Sequence, residues 1–228
     1  MHWWVAELWQ DNPVLLASWV FWVISAIVLH ELAHGWAAIL CGDDTPRRLG
    51  HMTINPLVHM GQTSLIMFAL VGIAWGAMPV DPRNFRPRFG ESIVAFAGPF
   101  MNLCLAVFSL VALVLWQGLA CGGWTFGSTL DEPLRGNGFL FFNIGVMLNL
   151  VLAAFNLLPV PPLDGGRILA DLVPPYRRLW NSQQGQMAAL VAFVLLFMFG
   201  SEVIFDAAGD ATLWLRTQAF DALMHNRP

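Results

Sequence analysis

The chain has 228 residues, 57% hydrophobic and 11% charged, with a net charge of −4 and a mean hydropathy of +0.61. Soluble domains carry about 25% charged residues, so a soluble enzyme, a nucleic-acid binder and a disordered scaffold are all excluded in favour of an integral membrane protein. All eleven basic residues are Arg, and eleven Trp and seventeen Phe against one Tyr suit lipid-facing and interfacial surface.

Trp3, Trp4 and Trp9 open the chain as an interfacial belt. Five apolar runs follow, at 14–40, 61–80, 91–117, 137–158 and 186–205, each near the 20 residues that cross a core of about 30 Å. The first run places Val14 to Leu29 ahead of its first ionisable group, His30. That stretch covers about 24 Å as a helix, so His30 lies inside the bilayer towards its far side. The second run carries Gly61, Gly72, Gly76 and Pro79, which favours a broken, re-entrant segment over a straight crossing. With 61–80 re-entrant, eight Arg (47, 48, 83, 86, 88, 167, 177 and 178) share one side and three (135, 216 and 227) the other. Such a bias marks the richer side as cytosolic. Residues 47–60 read as short β-like stretches broken by Gly50 and Asn55-Pro56, with an edge at 52–55 for an unwound substrate. The last run reads as a final span, and 211–224 as an interfacial helix or a disordered tail, with Trp214, Leu215, Phe220, Leu223 and Met224 as its apolar residues. The expected fold is an all-α polytopic membrane protein of four to five transmembrane helices, with a re-entrant segment and a short β-like loop. It forms a single unit over 1–228, with its core at 14–170 and a C-terminal helix and tail over 171–228.

The first run contains His30-Glu31-Leu32-Ala33-His34. Residues i and i+4 share a helix face, so both imidazoles reach one Zn²⁺, and the intervening Glu31 reaches a metal-bound water as general base. Charged groups at this depth cost about 2.5–3.5 kcal/mol each. Neutral histidines bonded to backbone account for one His, but not for the Glu or the spacing. A catalytic zinc site takes a third protein ligand. Asp164 supplies it, after Pro159, Pro161 and Pro162 have ended the fourth run and forced an extended strand, with Gly165 and Gly166 admitting close backbone approach. His34 and Asp164 share a side of the membrane only if 61–80 does not cross, which agrees with the Arg bias. Cys41, Cys104 and Cys121 show no CxxC pairing and provide no thiolate site.

His-Glu-Leu-Ala-His and the later Asn156-Leu-Leu-Pro-Val-Pro-Pro-Leu-Asp164-Gly-Gly-Arg167 resemble the site-2 protease family of intramembrane zinc metalloproteases. Arg47–His59, Met78–Arg86 and Gly98-Pro99-Phe100-Met101-Asn102 are similar to further family segments, in the same order, over about 28–170. The chain looks like a compact prokaryotic member without PDZ or CBS domains. It departs from the family at His59-Met60-Gly61-Gln62, where His-Ile-Asp-Pro is usual, and at Ala77-Met78-Pro79, where Ala-Lys-Pro is usual. The resemblance implies a zinc endopeptidase of the cytoplasmic membrane, with its site towards the cytosol. It would cut a peptide bond in or near a transmembrane segment of another protein, through His30, His34, Asp164 and Glu31. Asn102 and Asn156 remain open between donors to substrate or oxyanion and structural contacts. His51 and His59 read as loop residues bonded to backbone. Clearance of remnant signal peptides differs only in substrate. A non-proteolytic zinc-binding membrane protein, a transporter or pseudoprotease scaffold, is the alternative of another class, and Glu31 counts against it.

Overall fold

A computed structural model describes residues 4–120 and 131–225; Trp3 and Cys121 lie outside them. Helix α1 (Trp4–Asp11) leads into α2 (Pro13–Cys41), then come a single helical turn α3 (Thr45–Arg48) and α4 (Pro56–Val71). After a 3-10 turn at Pro82–Asn84 follow α5 (Gly90–Ala120), α6 (Glu132–Asn156), α7 (Asp164–Leu172) and α8 (Pro174–Trp180). Helix α9 (Gln183–Leu195) continues through a π-helical turn (Leu196–Gly200) into α10 (Ser201–His225). Four helical stretches are long and apolar enough to cross a membrane: α2, residues 90–118 of α5, α6, and residues 183–222. The protein is therefore an all-α, multi-pass membrane protein.

Local sequence accounts for the ends of α2. Asn12 caps it by accepting from the Leu15 amide at 3.0 Å, with Pro13 in the first turn. Gly42, at φ 108°, closes it in the left-handed conformation. Helices α2, α5 and α6 pack together. A buried core of Trp22, Val23 and Ile27 from α2 and Ile144 and Leu148 from α6 is completed by Met60 and Phe68 of α4, and the Trp22 indole donates to the Phe141 carbonyl at 2.8 Å.

Helix α4 has 16 residues, broken at Gly61 (φ 68°, ψ 170°), and is too short to cross at about 1.5 Å per residue. The chain then turns back alongside it. Ser64 Oγ accepts from the Trp75 amide at 2.8 Å and donates to the Trp75 carbonyl at 2.7 Å, and the Ala77 amide donates to the His59 carbonyl at 2.9 Å. The stretch 61–80 is thus a re-entrant hairpin. The β-like stretches expected within 47–60 are corrected: no strand occurs among the described residues. Pro46 and Pro56 each sit in a first helical turn, where their fixed φ favours helix, and only a bent link remains between α3 and α4. An edge strand at 52–55 is therefore not present.

The C-terminal stretch is helical through residue 225, with the side chains of 223–225 outside the description. Phe205 stacks on Trp19, while Arg216 reaches Asn143 at 3.4 Å and lies 5.0 Å from the centre of the Phe139 ring. The Trp22–Phe141 bond places Trp19 and Phe139 near one level of the bundle. Helix α10 thus stays beside α6 as far as Arg216. At the chain start, Trp4 packs on Phe68 and Trp9 is exposed.

One polar anchor has no counterpart among the sequence expectations. Asp43, fully buried beyond the end of α2, accepts from the amide and hydroxyl of Thr45 at 3.1 and 2.5 Å, the Asp81 amide at 2.7 Å and Asn84 Nδ2 at 2.9 Å. It ties the end of the returning segment to α2. Burial pushes this carboxyl up, but the hydrogen bonds from Thr45, Asp81 and Asn84 outweigh it and hold its pKa below the ordinary value. A lowered native pKa contributes stability that is present above about pH 4 and is lost as pH falls through the native pKa. Asp43→Ala should destabilise the protein by roughly 3 kcal/mol through its orphaned donors. Asp43→Asn should remove this group's share of the acid-induced loss. Unfolding in detergent, followed against pH, measures both.

Candidate metal centre

Helix α2 brings His30 and His34 onto one face, and both are buried. Their Nε2 atoms lie 2.9 Å apart. Asp164 Oδ2 comes within 3.1 Å of the first and 3.3 Å of the second. These three residues form the group of potential metal ligands found among the described residues. Asp164 does not sit on an extended strand, as the prolines suggested; it is the first residue of α7. Gly165 and Gly166 pack against the backbone of residues 157–161, which lets the helix begin directly after the Pro-rich turn.

The far side of each imidazole determines what the near side can do. His34 Nδ1 lies 2.7 Å from the Val94 carbonyl, which can only accept. His30 Nδ1 lies 2.6 Å from Asn102 Oδ1. The orientation of Asn102 is set in turn: its Nδ2 donates to Asn149 Oδ1 at 3.1 Å, and Asn149 Nδ2 donates to the Gly145 carbonyl at 2.8 Å. A carbonyl at the end of the chain imposes one direction on every donor in it. Both rings therefore carry their hydrogen on Nδ1 and turn a bare Nε2 lone pair towards Asp164. Two lone pairs and a carboxylate oxygen this close repel one another. A proton on one Nε2 relieves one contact; a cation relieves all three. Ligands about 2.0–2.1 Å from a tetrahedral centre are about 3.3 Å apart, close to the observed spacings. The donor set of two imidazoles and a carboxylate fits zinc.

Helix α5 closes the site from one side. A Cβ built on Gly98 would fall 2.4 Å from His30 Nε2 and 2.5 Å from His34 Nε2. Only a glycine allows this approach, which gives the Gly98–Asn102 pair a physical meaning: one clears the site and the other orients a ring. Glu31 is buried beside the ligands and lines a cavity of about 570 Å³ with His30, Asn102, Asn156, Phe193 and Phe197. The returning segment forms its wall, and a Cβ on Gly76 would lie 2.7 Å from Glu31 Oε1. Both polar ends of Asn102 are taken by protein partners. Asn156 is half-buried and donates to the Leu152 carbonyl at 3.0 Å.

His51 and His59 do bond loop backbone, to the carbonyls of Leu49 at 3.1 Å and Thr53 at 2.6 Å. Cys41 is buried and Cys104 exposed, and neither belongs to the ligand group. Asn149 was missed by sequence reasoning.

The sequence pattern of peptidase family M50 matches residues 18–140 and 134–200. YwhC of Bacillus subtilis (strain 168), provisionally named a zinc metalloprotease, is 37% identical over 218 residues, which is 92% of this chain and 95% of that protein. Rip2 of Mycolicibacterium smegmatis, also provisionally named a zinc metalloprotease, is 30% identical over 80% of this chain and 66% of its own length. Zinc metalloprotease MJ0392 of Methanocaldococcus jannaschii is 22% identical over 84% of this chain and 45% of its own. No solved structure matches the chain. The enzyme is a membrane metallopeptidase that uses zinc: this chain belongs to peptidase family M50, the site-2 protease family.

Proposed function

We propose that the zinc of this peptidase is held by His30, His34 and Asp164, and that Glu31 is its general base. The substrate would be a transmembrane protein, cut in or near a membrane-spanning segment. The observation that carries the reading is the convergence of three lone-pair donors whose orientation is dictated from behind by Val94, Asn102 and Asn149. Zinc, when bound, supplies Lewis acidity that polarises the scissile carbonyl and makes water acidic near neutral pH. Glu31, one residue from His30 and at the cavity wall, takes the proton of the attacking water and passes it to the leaving amine. Asn102 acts through His30 as a positioning residue, because its carbonyl and amide are already engaged. Asn156 has one amide hydrogen without a partner among the described residues and lines the cavity. Asn102 is fully buried whereas Asn156 is half-buried at the cavity, so Asn156 is the more accessible of the two amides to a substrate carbonyl.

The Arg distribution and the re-entrant hairpin support a cytoplasmic-membrane location, with the site towards the cytosol. Residues 41–90 and 159–185 then share the Arg-rich side. We read 1–228 as one membrane-embedded unit, with 14–170 carrying the site.

Glu31→Gln should keep zinc within about threefold of wild type while lowering cleavage of a panel of transmembrane substrates by about 10²–10⁴-fold. Cleavage near the wild-type rate would remove Glu31 from the mechanism. Gly98→Ala should lower zinc affinity at least about tenfold, because its methyl displaces the two rings. Chelator competition on the purified protein reads this directly, and full affinity would contradict the ligand set.

A further inference from the structure

Among the described residues the Asp164 side chain has no hydrogen-bond partner apart from its contacts with the two histidines, and Arg167 approaches only to 3.8 Å. Something else has to set its position, and the other end of its helix supplies a candidate. Asp171 lies seven residues on, two helical turns away and on the same face of α7. Asp171 Oδ2 accepts from the Ser92 amide at 3.0 Å and the Ser92 hydroxyl at 2.8 Å. Ser92 is in the first turn of α5, where amides have no partner within the helix and a carboxylate is favoured by the helix dipole. Arg177, from α8, completes the arrangement. Its Nη2 donates to Asp171 Oδ1 at 2.8 Å and to Glu91 Oε2 at 3.3 Å, and its Nε donates to the Ala170 carbonyl at 2.9 Å.

The spacing along the two helices agrees. From Ser92 to Gly98, which abuts the histidines, α5 rises about 9 Å; from Asp171 back to Asp164, α7 rises about 10 Å. The helices thus run antiparallel with two rungs, Ser92–Asp171 at one end and the ligand cluster at the other. Val94, whose carbonyl holds His34, sits on α5 between these rungs.

We infer that Asp171, pinned by Ser92 and Arg177, is a positioning residue that sets the register of α7 against α5 and so holds Asp164 at ligating distance from His30 and His34. The inference rests on the proposed ligand set. Two turns of rigid helix transmit the constraint. The first five residues of α5 serve both the His34 ring, through Val94, and the Asp171 carboxylate, through Ser92, so both are referenced to one frame. The zinc-binding residues are then assembled from α2 and α7 against α5, as a template, before metal arrives.

The full chain, purified in detergent, tests this through metal binding without turnover. Zinc affinity is measured by chelator competition, and the visible spectrum of the cobalt-substituted protein reports ligand geometry. Asp171→Ala should weaken zinc by about 10–100-fold, as loss of an outer-shell support does, and should shift the cobalt bands at temperatures where the protein remains folded. Ser92→Ala, which retains the backbone amide donor, should give a smaller loss in the same direction, and Ser92→Thr should restore wild-type affinity. If Asp171→Ala does not fold, the Ser92 pair decides alone. Wild-type affinity and an unchanged cobalt spectrum in Ser92→Ala and in any folded Asp171→Ala would overturn the inference, leaving these residues a purely structural role. Asp164→Ala is the separate control. If it retains wild-type zinc affinity, the ligand reading itself fails; if it loses zinc while the Ser92 and Asp171 variants do not, only the positioning role fails.

Discussion

Three electron-pair donors that repel one another are held within 3.3 Å inside an apolar helical bundle, and most of the structure around them serves to keep them there. Left alone, two neutral imidazoles and a carboxylate would separate or bind a proton. The Val94 carbonyl and the Asn102–Asn149–Gly145 chain hold the rings from their outer edges. Burying so many polar groups is tolerable only because each has a partner. On the proposed ligand set, a cation completes the site by meeting the three lone pairs that converge there.

The same logic extends to the backbone around the site. Irregular chain at membrane depth needs partners for its backbone groups, and in the returning segment after α4 Ser64 bonds the Trp75 amide and carbonyl and the His59 carbonyl bonds the Ala77 amide. Asp43 fixes the end of the segment at Asp81 and Asn84, so Gly76 stays against Glu31. The cavity beside Glu31 is lined by Phe193 and Phe197 as well as by His30 and Glu31. On the proposed mechanism, the attack of water would take place behind a largely apolar wall, where electrostatic interactions with a developing charge are strong.

Much of this was legible in the residues alone. The His30–Glu31–His34 spacing follows from helix periodicity, and the run of prolines marked the end of the fourth run ahead of Asp164, although the extended strand expected there is the start of α7. Arg counting and ligand parity together required 61–80 to turn back, as it does. What failed was local. The segment 47–60 looked β-like because Thr53, Ile54 and Val58 favour strands, yet Pro46 and Pro56 open helical turns on either side. Asp43, Ser92, Asp171 and Asn149 were illegible as a group because the partners that tie them to other elements lie 38 to 79 residues away in sequence. A single polar residue carries no sign of which distant amide it will meet. For Asn102 the sequence left a donor to substrate and a structural contact both open, since the distinction between donating to substrate and accepting from His30 depends on orientation.

The zinc K-edge X-ray absorption spectrum of the purified protein tests the central claim most directly. The account predicts a first shell of nitrogen and oxygen alone at about 2.0–2.1 Å, with outer-shell scattering from two imidazoles and no sulfur. A sulfur shell near about 2.3 Å, or scattering from a single imidazole, would contradict it.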